Sequence, residues 1–309
     1  MRLIGFSSAC VISISLLTAC SGEGAGAPPA PAAPTSSFHR AFSARIGPNT
    51  CPTSKIYVAD YGKSDVEVYP QGVNAPAPCR KVKTSVSNPE AVYVDAKGTL
   101  YVANYSTSSV MEYAHGGGSP VLTVPTSAAP YDIFVGHDGT LYVAEPALYQ
   151  VAEYTAGATS PSKTLTISGG AYGVATDNHN NLYVSYLSKI DGVSHVEEFA
   201  PGSSTGTNLP FTVPFAGELK LDKANDIIIG DRNDDVIDIF PPGATMPSRT
   251  ISTAGKPVYL CLDKTETYLY ASAQFQVQVF DYQSGNSVNS ISSGLQAPSG
   301  VAAYPPAPY

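Results

Sequence analysis

Side chains able to do chemistry recur in this sequence at two spaced positions. The first closes a short apolar run and is held by Asp60, Asn104, Glu145, Tyr186, Asp231 and Ala273. The second lies two residues beyond a proline or its equivalent. It is held by Ala91, Asp132, Gly173, Glu218, Tyr259 and Gly300, with Glu90, Tyr131 and Tyr172 beside it. Arg232, Asn233 and Asp234 extend the first position in one copy. Acids and an amide brought together could hold a hard cation such as Ca²⁺ through oxygen ligands. Scattered acids mixed with tyrosines fit instead the binding of a protein or glycan. A plainer role is open for each, because Asp or Asn after an apolar run often bonds a nearby backbone turn. The candidate ligand-binding set is Glu90, Asn104, Asp132, Glu145, Tyr172, Glu218, Asp231 and Tyr259.

Other catalytic patterns are missing from the sequence. The histidines are His39, His115, His137, His179 and His195, and no H-x-H, H-E-x-x-H or paired C-x-x-C occurs. No zinc site is expected, and no metal ligand is assigned. There is no G-x-S-x-G, phosphate loop or dinucleotide fingerprint, so no catalytic residue is assigned. The run GGGSP (116–120) reads as a turn, because no helical pattern follows it. No cofactor is expected; a cation such as Ca²⁺ on the acids above is the one candidate. Net charge is −8, from 17 basic and 25 acidic residues. That balance argues against nucleic acid, which needs a basic footprint.

The elements that must position these side chains are repeats. Six segments share one apolar pattern: KIYVAD (55–60), TLYVAN (99–104), TLYVAE (140–145), NLYVSY (181–186), DIIIGD (226–231) and YLYASA (268–273). Their third residues, Tyr57, Tyr101, Tyr142, Tyr183, Ile228 and Tyr270, recur at 44, 41, 41, 45 and 42 residues. Periods in the low forties with four short strands each are what β-propeller blades require. One repeat reads as AVYVD (91–95), a turn at 96–98, TLYVAN, VMEYA (110–114) and VLTVP (121–125). The fold expected is all-β: a six-bladed β-propeller of four-stranded antiparallel blades over residues 51–309.

The first repeat lacks a first strand before Lys55, and the C-terminus has a spare one. APSGVAAY (297–304) matches NPEAVYVD (88–95), with Pro298 over Pro89. The C-terminal strand should therefore complete the N-terminal blade and close the ring, which removes an unpaired sheet edge. In such a blade both positions described above lie on one face, around the mouth of the central channel.

GTLYVAN and its copies, each followed by V-x-E-Y or V-x-V-F, resemble NHL repeats over about residues 52–304. Where that pattern carries a basic residue before the third strand, this chain has Asp65, Ser109 and Asp235. Gluconolactonase-like and virginiamycin-lyase-like propellers are similar in architecture. The first resemblance implies carboxylates and an Asn around a channel metal; the second implies mouth histidines, which this chain lacks.

Residues 1–20, MRLIGFSSACVISISLLTAC, read as a targeting segment. Arg2 is a short positive region, residues 3–17 are apolar, and the run is short for a membrane span. Leu17-Thr18-Ala19-Cys20 looks like a bacterial lipobox, which implies lipidation of Cys20. Residues 21–50 open with SGEGAGAPPAPAAPTSS, a Gly/Ala/Pro-rich stretch suited to an extended tether. The membrane is thus an expected partner through the lipid, and the bacterial cell envelope the expected location. Ser21 in place of Asp favours the outer membrane or cell surface. In that oxidising setting Cys51 and Cys79 are expected to form a disulfide, leaving Cys261 as a buried thiol. The expected function is binding or scaffolding at the envelope, toward a protein or glycan. The alternative is a metal-dependent lactonase or lyase.

Overall fold

The computed structural model describes residues 51–308. The signal segment, the lipobox with Cys20 and the tether fall on residues 1–50, outside the described residues.

Six four-stranded antiparallel sheets make a ring. Blade 2 holds β4 (Pro89–Val94), β5 (Leu100–Asn104), β6 (Ser109–Tyr113) and β7 (Leu122–Pro125). Blade 3 holds β8 (Asp132–Val135), β9 (Leu141–Glu145), β10 (Gln150–Tyr154) and β11 (Lys163–Thr166). Blade 4 holds β12 (Gly169–Thr176), β13 (Leu182–Ser188), β14 (Ser194–Phe199) and β15 (Thr207–Val213). Blade 5 holds β16 (Ala216–Leu221), β17 (Ile227–Asp231), β18 (Val236–Phe240) and β19 (Arg249–Ser252). Blade 6 holds β20 (Pro257–Leu262), β21 (Tyr268–Ala273), β22 (Gln276–Asp281) and β23 (Ser287–Ile291). Blade 1 joins β1 (Lys55–Asp60), β2 (Asp65–Pro70) and β3 (Arg80–Val82) to the last strand, β24 (Pro298–Tyr304).

The innermost strands pack in a closed circuit, β4 on β8, β8 on β12, and so on through β16, β20 and β24 back to β4. Closure runs through β24, whose Ala303, Ala302 and Val301 pair with Ile56, Tyr57 and Val58 of β1. The two middle strands of each blade are covered on both faces by neighbouring blades. They therefore read as apolar runs with little alternation.

Tyrosine, with 20 copies and no Trp in the chain, does a repeated job between blades. Tyr69, Tyr113 and Tyr154 sit at equivalent places in the third strands of blades 1 to 3. Their hydroxyls donate to the carbonyls of Ser293 (2.7 Å), Thr84 (2.7 Å) and Pro125 (3.2 Å). Each acceptor lies at the end of the preceding blade's outermost strand. The ring fills the space between blades, and the hydroxyl satisfies a carbonyl that would otherwise lack a partner.

Cys51 and Cys79 form a disulfide with Cα atoms 5.2 Å apart, and Cys261 is free and buried. Their strands are separated by β2. Cys51 precedes β1 by four residues and crosses that gap as loop. Closing 28 residues of chain should contribute about 3–4 kcal/mol by loop-closure entropy. Cys51→Ser with Cys79→Ser is expected to lower the unfolding free energy by about that amount in denaturant titration. An unchanged midpoint would show that the bridge adds nothing.

Candidate functional site

The acids and the amide at the ends of the second strands hold the fold's connections. Asp60 accepts the amides of Gln296 (2.7 Å) and Ala297 (3.0 Å). Asn104 accepts from Ser87 N (3.0 Å) and donates to Ser85 O (2.7 Å). Glu145 accepts from Ala128 N (2.7 Å) and from the Gln150 side-chain amide (2.6 Å). Asp231 accepts from Asn233 N (2.9 Å) and Phe215 N (3.4 Å). All four therefore clamp the crossing that leads into their own blade's first strand. In blade 6, where Ala273 offers no acceptor, Gln278 on the next strand takes Ala254 N at 2.9 Å. Asn104, Glu145 and Asp231 are each no more than 1% exposed. They do not reach the mouth surface that the sequence assigned to them, because satisfying buried backbone amides pulls them inward.

The inner positions form a second set of ties, from blade to blade. Asp132 accepts Ile133 N and, across the blade boundary, Val174 N, both at 2.8 Å. Glu218 accepts Leu260 N of the next blade and the Lys220 ammonium. Where Asp132 and Glu218 have Gly173 and Gly300 as counterparts, the next blade's backbone presses in directly. A Cβ on Gly173 would come within 2.9 Å of Leu219 N, and one on Gly300 within 2.5 Å of Val92 N. Acid and glycine are thus alternative ways to meet a neighbouring blade.

Asp132, Glu218 and Lys220 make one buried charge cluster in the channel. Burial pushes both carboxyls up; for Glu218 the neighbouring Asp132 adds to the push, and Lys220 opposes it for both. Burial alone would depress Lys220, but the two carboxylates outweigh it and keep the ammonium charged. The Lys220 ammonium also lies 5.7 Å from the Phe134 ring centre. The thiol of Cys261, buried nearby, is pushed up to about 12 and is inert as a nucleophile.

Above this cluster, five blades converge at the mouth. Arg232, from the loop after β17, reaches across the ring and donates to the Tyr131 hydroxyl at 2.9 Å. Its guanidinium lies 4.6 Å from the Phe215 ring centre. Tyr131 stacks on Tyr259 at 5.8 Å and meets Tyr172 edge-on at 4.9 Å; Tyr172 meets Phe215 edge-on at 5.6 Å. The Tyr259 hydroxyl donates to Tyr131 O at 2.9 Å. Burial pushes Glu90 up to about 7, against the pull of Tyr259 and Arg232. Of the predicted residues, Glu90, Tyr172 and Tyr259 meet here, and Asp132 and Glu218 lie beneath. Tyr131 and Arg232 were flagged only as neighbours. Phe215 and Lys220 were missed. The available signal for Lys220 was a cation between two leucines (LKL, 219–221) in an inner strand, two residues from Glu218.

Around this cluster the loops after the second strands carry exposed apolar side chains. Tyr105, Leu148 and Tyr149 are exposed, Phe275 is 71% exposed and Ile190 is 90% exposed. They come from blades 2, 3, 6 and 4, and by connectivity all lie on the mouth face. A separate cavity of about 360 Å³ opens on the opposite face. Tyr93, Phe134, His137, Lys264 and residues 305–308 contribute to its walls. Among the described residues, no three His, Cys, Asp or Glu side chains are grouped to hold a metal ion.

Ring, blade and mouth together define a six-bladed β-propeller. At the level of sequence, no family model and no curated protein matches the chain. Solved structures match its shape. A nidogen/laminin complex structure is similar at TM-score 0.66 and 14% identity, over 81% of this chain and 98% of the other. A Bacteroides caccae protein of unknown function gives 0.64 and 11%, over the same shares. Virginiamycin B lyase from Staphylococcus aureus gives 0.52 and 11%, over 69% and 73%. At these identities the likeness is one of fold.

Proposed function

We propose that this chain is a protein-docking propeller, held at the bacterial cell envelope by a lipid on Cys20, with the mouth face as its docking surface. One observation carries the reading: exposed apolar loop side chains from four blades share the mouth face with an aromatic cluster that holds a guanidinium. Grouped exposed apolar residues on a soluble domain mark contact surfaces. Aromatic and Arg side chains are the types that dominate protein interfaces. Aliphatic Leu148 and Ile190 suit a protein better than a glycan. β1 begins at the face opposite the mouth, so the described chain enters its first strand there. The metal-dependent lactonase or lyase alternative is less favoured, because Asp132, Glu145, Glu218 and Asp231 each accept a backbone amide.

Two experiments test the reading. A photo-crosslinking side chain placed at Phe275 or Ile190 in cells should capture one defined envelope protein. The same group at Met246, which is 74% exposed on the opposite face, should not. Equal capture at all three positions, or none at the first two, would remove the docking surface. Cys20→Ala should move the protein from the membrane to the soluble fraction; persistence in the membrane would remove the lipid anchor.

A further inference from the structure

Resting on the docking reading, we propose that the partner inserts a carboxylate, from an Asp or Glu side chain or a chain terminus, into the mouth to pair with Arg232. The argument starts from what Arg232 lacks. A guanidinium has several N–H donors in a planar fork. Here one hydrogen bond is made among the described residues, to the Tyr131 hydroxyl. Nε is buried without a partner. No salt bridge among the described residues involves Arg232. Arg232 is half-buried, and its buried Nε carries a desolvation cost that a bound acceptor on the guanidinium would help offset.

The fork is also pre-positioned. The guanidinium lies over the Phe215 ring, Tyr131 holds one end, and Tyr172 buttresses both rings. A carboxylate arriving there would find an oriented donor pair and little side-chain entropy left to lose. The surrounding Leu148, Tyr149, Ile190 and Phe275 would cover the pair with apolar contacts and exclude water, which strengthens it. Charge complementarity therefore sets the chemistry of the inserted group, and the apolar ring sets that of its flanks.

The test uses a phage-displayed library of random dodecapeptides selected on the purified full-length protein. The expected binders share an acidic residue or free C-terminus at one register, flanked by apolar residues. For the best synthetic peptide, Arg232→Gln should weaken binding by about thirtyfold or more. Replacing the peptide's carboxylate by its amide should do the same, and the two losses should not add. Arg232→Lys should fall between, since it keeps the charge and loses the fork. Melting temperature separates these effects from misfolding. Binders without an acid, or losses that add, would overturn the carboxylate pairing. If those binders still weaken in a Phe275→Ser and Ile190→Ser variant, the docking surface stands without it. No peptide binder, or an oligogalacturonate bound through Arg232 in place of peptides, would overturn the proposal.

Discussion

Deleting residues 296–309 is expected to destroy the cooperative fold rather than trim it. β24 is the innermost strand of blade 1, and Val301, Ala302 and Ala303 are all at most 7% exposed. Its removal uncovers Ile56, Tyr57, Val58 and Ala59 of β1, each no more than 1% exposed. It also strips Asp60 of the Gln296 and Ala297 amides, and the Pro89 carbonyl of the Ser299 hydroxyl at 2.7 Å. At about 1–3 kcal/mol for each large apolar side chain exposed, the loss is on the order of 10 kcal/mol. That equals much of the ~5–15 kcal/mol that holds a typical domain. The ring would also gain an open apolar edge, an aggregation hazard. Thermal unfolding should show no sharp transition, and the protein should be largely insoluble. Deleting only residues 305–309 keeps β24 and should cost far less. A sharp transition retained in the longer deletion would sink the closure account.

Lys220→Met should give the largest effect of any single substitution in the channel, and its size should depend on pH. Among the described residues, the Lys220 ammonium is the cation paired with Glu218 of the buried Asp132–Glu218 pair. Removing it leaves two carboxyls at most 2% exposed, which must then stay protonated or repel each other. A loss of about 3–5 kcal/mol is expected near pH 8. The direction follows from the raised folded-state pKa of both acids. A raised group contributes stability that is fully present below its unfolded pKa and is lost as pH rises through the folded one. The variant's deficit should therefore shrink as the pH is lowered from about 8 to about 5, because protonating the raised carboxyls relieves their repulsion. Denaturant titrations of wild type and variant at the two pH values give the comparison. A deficit equal at both, or larger at the low one, would contradict the cluster's proposed electrostatics.

How far the site could be read from the chain differs from residue to residue. Glu90, Tyr172 and Tyr259 were visible because each stands at a fixed offset in the repeat, and the repeat sets the face. Asn104, Glu145 and Asp231 were equally visible at their offset but stand elsewhere in function. The offset reveals which end of the strand a residue occupies. It does not reveal whether an unpaired amide waits within reach. Ser87 N and Ala128 N claim their acceptors because the crossing between blades would otherwise bury unsatisfied donors. Phe215 and Lys220 carry no motif and are defined by what lies opposite them.

Local pattern was sufficient for the blade count, the strand order, the closing strand and the face on which loops gather. These follow from period, turn residues and apolar runs, and for the closing strand from a strand missing at one end of the chain and spare at the other. Which side chains meet at the ring's centre was a matter of tertiary structure. Arg232 and Tyr131 are 101 residues apart, and Tyr259 and Tyr131 are 128 apart. Their contact depends on blades packing at a common radius and inclination, a property of the closed ring as a whole.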